Sequence, residues 1–168
     1  QAAIRSLTQQ SPSLLSMLSE GITEDFPIAE PEEMLSDLQS RMINDFPVSN
    51  PTPSFTVKDV VPSLEPYSAP AFYLTTPLGD SDNNVIYINR RNSPMGLELY
   101  TTLAHEGFPG HLYQTVYSNR AFLDKDMDPV RKLIWYGGYL EGWALYVEFI
   151  SYDYAADLLE QCGQSDAA

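Results

Sequence analysis

The heptapeptide His105-Glu106-Gly107-Phe108-Pro109-Gly110-His111 places two imidazoles and a carboxylate within two turns of one predicted helix. Neutral imidazole and carboxylate are zinc ligands, and a catalytic zinc site takes three protein ligands and keeps its fourth position for water. The acidic residue after the first His then serves as general base. In the common H-E-x-x-H arrangement the two His lie four apart and share a helix face; here they lie six apart. Six steps of about 100° put His111 about 240° from His105 on an unbroken helix, so a straight helix cannot join them. Pro109 resolves the conflict, because it has no amide proton for the carbonyl of His105 and its ring collides with that carbonyl. A bulged or unwound turn at Pro109-Gly110, with Gly110 free to take unusual backbone angles, absorbs about two residues of phase and returns His111 to the face of His105. The alternative is that Pro109-Gly110 is a plain helix C-terminus and both His are ordinary polar residues.

Working outward, a helix starting at Ser93-Pro94 carries Leu97, Thr101, Ala104, His105 and Phe108 on one stripe, which turns His105 inward. Downstream, Tyr139-Leu140-Glu141-Gly142-Trp143-Ala144-Leu145-Tyr146-Val147-Glu148 lies in a long apolar stretch. A helix drawn from about Pro129 aligns Ile134, Gly138, Glu141, Leu145, Glu148 and Tyr152 on one face. That places Glu141 in an apolar neighbourhood, where a carboxylate must be paired, protonated or metal-bound. Gly138, one turn earlier, leaves room for a backbone or an ion. Glu141 is the expected third ligand; otherwise Glu141 or Glu148 pairs with an Arg or caps a neighbouring helix.

Together these residues resemble the DUF885 family, a bacterial group taken to be gluzincin-like zinc metallopeptidases, with the paired motifs H-E-x-x-P-G-H-x-x-Q and E-G-W-A-L-Y-x-E. The stretches His105 to Gln114 and Glu141 to Glu148 match both at every fixed position. Pro31-Glu32-Glu33-Met34, Asp45-Phe46-Pro47, Leu64-Glu65-Pro66-Tyr67 and Ala71-Phe72-Tyr73 fall in the family's order upstream, so the resemblance runs over residues 25–150. It implies His105, His111 and Glu141 as ligands of one zinc ion, Glu106 as base, and a peptide as substrate. Family chains are usually several times longer. Residues 1–168 are therefore expected to be one domain, the metal-site core of a longer metallopeptidase. Related enzymes draw oxyanion-stabilising groups from later helices; within this chain Tyr136, Tyr139 and Tyr146 are candidates that helix phase does not separate. Two rivals stand beside a peptidase: a catalytically silent peptide-binding or assembly piece, and a zinc hydrolase for another amide or ester.

The remaining sequence sets the frame. A helix is expected over Leu7 to Glu20, with Ser11-Pro12 as its start. A second, from Pro31 to Asn44, has Glu32 and Glu33 at its positive end and Met34, Leu35, Leu38 and Met42 as its apolar face. Phe55 to Val61, Ala71 to Thr75 and Val85 to Asn89 read as short strands. The last, just before the metal helix, is the expected edge for an extended peptide. The fold is expected to be α+β and zincin-like, mainly helical with a small β-sheet beside the metal-binding helices.

At 168 residues and 43% hydrophobic the chain can bury a core. Its 23 acidic against 9 basic residues give a net charge of -14, which argues against nucleic acid and anionic membrane surfaces as partners. The single Cys162 excludes an intrachain disulfide framework. No apolar run is long enough to span a bilayer. Family members often resemble secreted or lipid-anchored proteins, which favours the cell exterior over the cytoplasm. If the chain is a core without its later helices, the helix from Pro129 to Glu160 leaves an apolar face, with Leu133, Leu140, Val147 and Ile150, that a homo-oligomer would cover.

Overall fold

Helix α1 (Pro31–Arg41) begins with Pro at its first turn, carries Glu32 and Glu33 there and Arg41 in its last turn, and continues as a 3-10 turn over Met42–Asn44. Each placement suits the helix dipole or the missing first-turn hydrogen bonds. Met34, Leu35 and Leu38 are fully buried. The computed structural model of the chain describes residues 26–76, 82–125, 128, 130 and 134–164, so the helix expected over Leu7 to Glu20 lies outside the described residues.

After α1 come β1 (Phe55–Asp59), a 3-10 turn (Glu65–Tyr67), β2 (Ala71–Leu74) and β3 (Asn84–Ile88). Then follow α2 (Gly96–Glu106), α3 (His111–Asp124) and α4 (Gly137–Gln161). The architecture is α+β, with a three-stranded sheet of order β1-β3-β2. β3 pairs parallel with β1, Phe55 opposite Asn84, and antiparallel with β2, Tyr73 opposite Ile86. Helix α2 is central, packing on α4, α1 and β2.

Three expectations are corrected here. The strand Val85 to Asn89 was expected at the edge, yet β3 is the central strand. Asn84, Ile86 and Ile88 point into the core while Tyr87 and its cross-strand neighbour Phe72 stack at 5.2 Å on the other face; both edges of β3 are paired, and β1, with exposed Thr56, Lys58 and Asp59, takes one outer edge. The strand bordering the metal-type residues is β2. Second, the last helix starts at Gly137 rather than near Pro129, and Ile134 lies before it. Gly137-Gly138 is a poor helix interior and so marks an end. Third, the face named as uncovered is largely covered: Val147 is buried and Leu140 and Ile150 are half-buried, while Leu133 lies outside the described side chains. The exposed apolar residues of α4 are Tyr139, Leu145, Tyr146, Phe149 and Tyr152.

The core joins α1, β3, α2 and the C-terminal half of α4 through residues such as Leu38, Ile86, Leu103, Phe108 and Leu158. Polar contacts accompany it, one of them between α1 and α2. Tyr100, fully buried, donates its hydroxyl hydrogen to Asp37 Oδ2 at 2.6 Å, and Arg41 Nε donates to the same oxygen at 2.8 Å. Burial, followed by the hydrogen bond to Asp37, pushes the Tyr100 hydroxyl far above its ordinary value. Tyr100→Phe removes a hydrogen bond to a charged group and should cost about 1.5 to 3 kcal/mol, read from urea unfolding. A loss below about 0.5 kcal/mol, within the range of an ordinary surface change, would show that Arg41 alone satisfies Asp37.

Candidate metal centre

The heptapeptide forms two helices. α2 ends at Glu106 and α3 begins at His111, with Phe108-Pro109 as a cis peptide between them. The expected bulge within one helix is therefore a full break, and the C-terminus proposed as the bland alternative is real. It nevertheless brings the imidazoles together, with ring centroids 4.9 Å apart and nearly perpendicular. Gly110 takes φ -77° and ψ -137°, a pair that is neither helical nor extended, as expected of it, and the space it leaves matters as well. A Cβ there would overlap the carbonyl oxygens of Ala104 and His105. Gly107 is as tightly held: a Cβ would overlap Leu35 and come within 2.9 Å of the Leu103 carbonyl oxygen and 3.0 Å of Ile86. The two glycines let α3 restart against the end of α2.

Glu141 comes from α4. Its Oε2 is 3.6 Å from His105 Nε2 and 3.5 Å from His111 Nε2. Its side chain is 62% exposed, so the apolar surroundings expected for it are not found; α4 presents it at the mouth of a cleft, where solvent reaches it. Gly138 leaves open space, as expected, with nothing within 4 Å of where a Cβ would stand, and no other backbone approaches it there among the described residues.

Glu106 lies on the other side. The Tyr73 amide of β2 donates to its Oε2 at 2.9 Å. Burial raises its carboxyl above the ordinary value, against the opposing pull of that hydrogen bond and of His111 and His105. The ligand atoms of His105, Glu106 and His111 lie within 4.8 Å of one another, so the geometry offers either carboxylate as a third donor. Glu141 has the closer approach to both Nε2 atoms, and Glu106 is already engaged by β2.

Two residues of the second motif have roles that the sequence reading did not assign. Glu148, two turns beyond Glu141 on α4, lies with its Oε2 3.0 Å from His105 Nδ1. An ionised carboxylate only accepts, so opposite an ionised Glu148 the hydrogen of this contact is on Nδ1, the tautomer that leaves Nε2 of a neutral imidazole free to hold a metal ion. The seven-residue spacing of Glu141 and Glu148 was the available signal. Trp143 donates its indole N–H to the Pro109 carbonyl at 2.8 Å and packs against Phe46 at 5.7 Å, tying α4 to the α2–α3 turn.

The donor set fits zinc. Two ligands at about 2.0 to 2.2 Å in a tetrahedral shell are about 3.3 to 3.6 Å apart, which matches the Glu141 distances. A carboxylate behind a ligating imidazole is the usual outer partner of such a site. The cleft here, about 320 Å³, is bounded by Tyr73, Thr75, Thr115, Trp135 and Leu140 as well as by His105, Glu106, His111 and Glu141. Tyr136, Tyr139 and Tyr146, the oxyanion candidates, are exposed and do not line it.

The class thus defined is a helical His/Glu cluster on a small sheet. Residues 12–168 match the family model described as "Bacterial protein of unknown function (DUF885)", and the chain belongs to that family. Among solved structures it is similar to one described as the "putative lipoprotein" from Colwellia psychrerythraea, at 24% identity and a TM-score of 0.63. That likeness covers 82% of this chain and 24% of that one, and bears on the fold alone. No curated protein matches the chain.

Proposed function

We propose that the chain carries the metal centre of a zinc-dependent peptidase with zincin-like geometry, a peptide being its substrate. The observation that carries this reading is the meeting of His105, His111 and Glu141, from three helices, with atoms 3.5 and 3.6 Å apart, beside a separate carboxylate held by β2. Zinc held by those residues would polarise the scissile carbonyl and acidify a water molecule. Glu106 takes the proton of the attacking water and delivers it to the leaving amine; a carboxyl held above its ordinary value suits both tasks. The Tyr73 amide fixes the direction of Glu106, and Glu148 fixes the tautomer of His105.

The experiment is metal analysis beside turnover. Purified protein, stripped by chelator and reloaded, should bind one zinc per chain and cut members of a mixed peptide library only when loaded. Zinc uptake without cleavage of any peptide would favour the silent binding or assembly piece; cleavage of esters or other amides alone would favour the broader hydrolase. Glu148→Gln weakens the hold on His105 and should lower zinc affinity about 10- to 100-fold, read by competition with a chromogenic chelator. Unchanged affinity would make the Glu148 contact incidental.

A place outside the cytoplasm belongs to the same proposal, supported by the description of the Colwellia protein; fractionation of a bacterium expressing the natural gene tests it. Among the described residues no helix is long and apolar enough to cross a membrane. A homo-oligomer is also a proposal. It would use Tyr139, Tyr146 and Phe149 on the outer face of α4, and sedimentation at rising concentration tests it.

A further inference from the structure

We propose that the cleft selects peptides with an aromatic side chain next to the scissile bond, and that Trp135 is the surface on which that side chain stacks. This rests on the peptidase reading and adds the substrate class.

Trp135 is 78% exposed, yet it borders the same cleft as His105, Glu106, His111 and Glu141. Its position is built. Gly137, at the start of α4, lies under the indole: a Cβ on Gly137 would overlap the ring at Cη2 and approach Cζ2 to 2.9 Å. The ring therefore rests on a bare Cα, with the rest of its surface exposed at the border of the cleft. Leu140, half-buried one turn along, extends the same apolar wall up to Glu141. Thr75, Thr115 and the aromatic Tyr73 also line the cleft. A substrate chain entering the cleft passes an exposed indole that borders the proposed ligands.

The chain's two tryptophans thus differ in role. Trp143 is half-buried and spends its indole N–H on Pro109. Trp135 is the one open to a ligand. An aromatic face attracts uncharged rings, by offset or edge-to-face stacking, and also Lys and Arg; comparison of Phe with Lys peptides separates the two.

The test uses zinc-loaded protein and capped peptides identical except for one position holding Phe, Ala or Lys, with cleavage sites found by mass spectrometry. Cleavage next to Phe should exceed the Ala and Lys peptides in kcat/KM by about tenfold or more. Trp135→Ala should bring that ratio close to one at unchanged zinc content, and Gly137→Ala, which displaces the ring, should move it the same way. A ratio unaltered by both variants, or a preference for Lys, overturns the proposal. Binding of a capped 4-nitrophenylalanine peptide, read by quenching of indole emission, separates this proposal from the peptidase reading. If no peptide is cut but Phe peptides displace the probe about tenfold better than Ala peptides, and Trp135→Ala loses that difference, the subsite stands and the hydrolytic reading falls. If peptides are cut without aromatic preference, the subsite falls and the hydrolytic reading stands. Failure of both cleavage and selective displacement overturns both.

Discussion

Glu106→Gln is expected to keep one bound zinc and lose peptide hydrolysis by about 10²- to 10⁴-fold, the usual contribution of a positioned general base. The amide retains the shape of the side chain, and its carbonyl oxygen can still accept the Tyr73 N–H that Glu106 Oε2 accepts at 2.9 Å. What it cannot do is take a proton from water. The variant also decides between the two carboxylates near the imidazoles, because Glu106 lies within 4.8 Å of the His ligand atoms. Zinc content measured beside kcat/KM gives the answer: loss of metal would make Glu106 a ligand and leave the base to be found elsewhere, whereas retained activity would remove it from the chemistry.

The second large effect concerns a residue with no side chain. Gly110→Ala puts a methyl group into the space occupied by the carbonyl oxygens of Ala104 and His105. Overpacking of this kind typically costs about 1 to 3 kcal/mol, and here the neighbours are backbone, which has little room to give. His111 follows directly in the chain, so zinc affinity should fall with stability. Gly142→Ala is the internal control: nothing lies near its Cα, and it sits inside α4, where Ala is the better helix former by about 1 kcal/mol. Thermal unfolding and zinc titration of the two variants should therefore diverge in opposite directions. Equal behaviour would mean that the turn between α2 and α3 is looser than its packing indicates.

Much of this arrangement could be read from residue types alone, for reasons that differ by element. α1 was legible almost to its ends, because Pro31, the two first-turn glutamates and the Met34, Leu35, Leu38 pattern all agree with one another. The three strands were located, since short β-branched and aromatic runs between prolines allow little else. Their order was not: Val85 to Asn89 was placed at an edge by its position in the chain, whereas strand order follows from which edges pair, and both β1 and β2, earlier in sequence, pair with β3. Within the heptapeptide, the need for a break at Pro109 followed from the missing amide proton. The form of the break did not, because it depends on Gly110 lying against the end of α2, a contact made only once α3 has folded back. The convergence of His105, His111 and Glu141 was anticipated, and their ligand roles remain part of the proposal. Glu148 was visible on the same stripe as Glu141, but a spacing of seven does not reveal which imidazole the carboxylate will meet. The start of α4 was drawn too early because an apolar run has no inherent beginning; Gly137-Gly138 was the boundary.

Helix α4 carries both Glu141 and Glu148, the first facing the Nε2 atoms of the two imidazoles and the second holding Nδ1 of His105. A rigid rod with two fingers on the same lock cannot slide or roll without releasing both, so the position of the rod and the integrity of the lock are one variable. An ion that binds only the assembled form adds its binding free energy to the docking of the whole 25-residue helix. Zinc would then be the latch of the molecule's longest structural member, and chelation would loosen amide protons far along α4, at Ala155 and Leu158, as well as those beside the histidines.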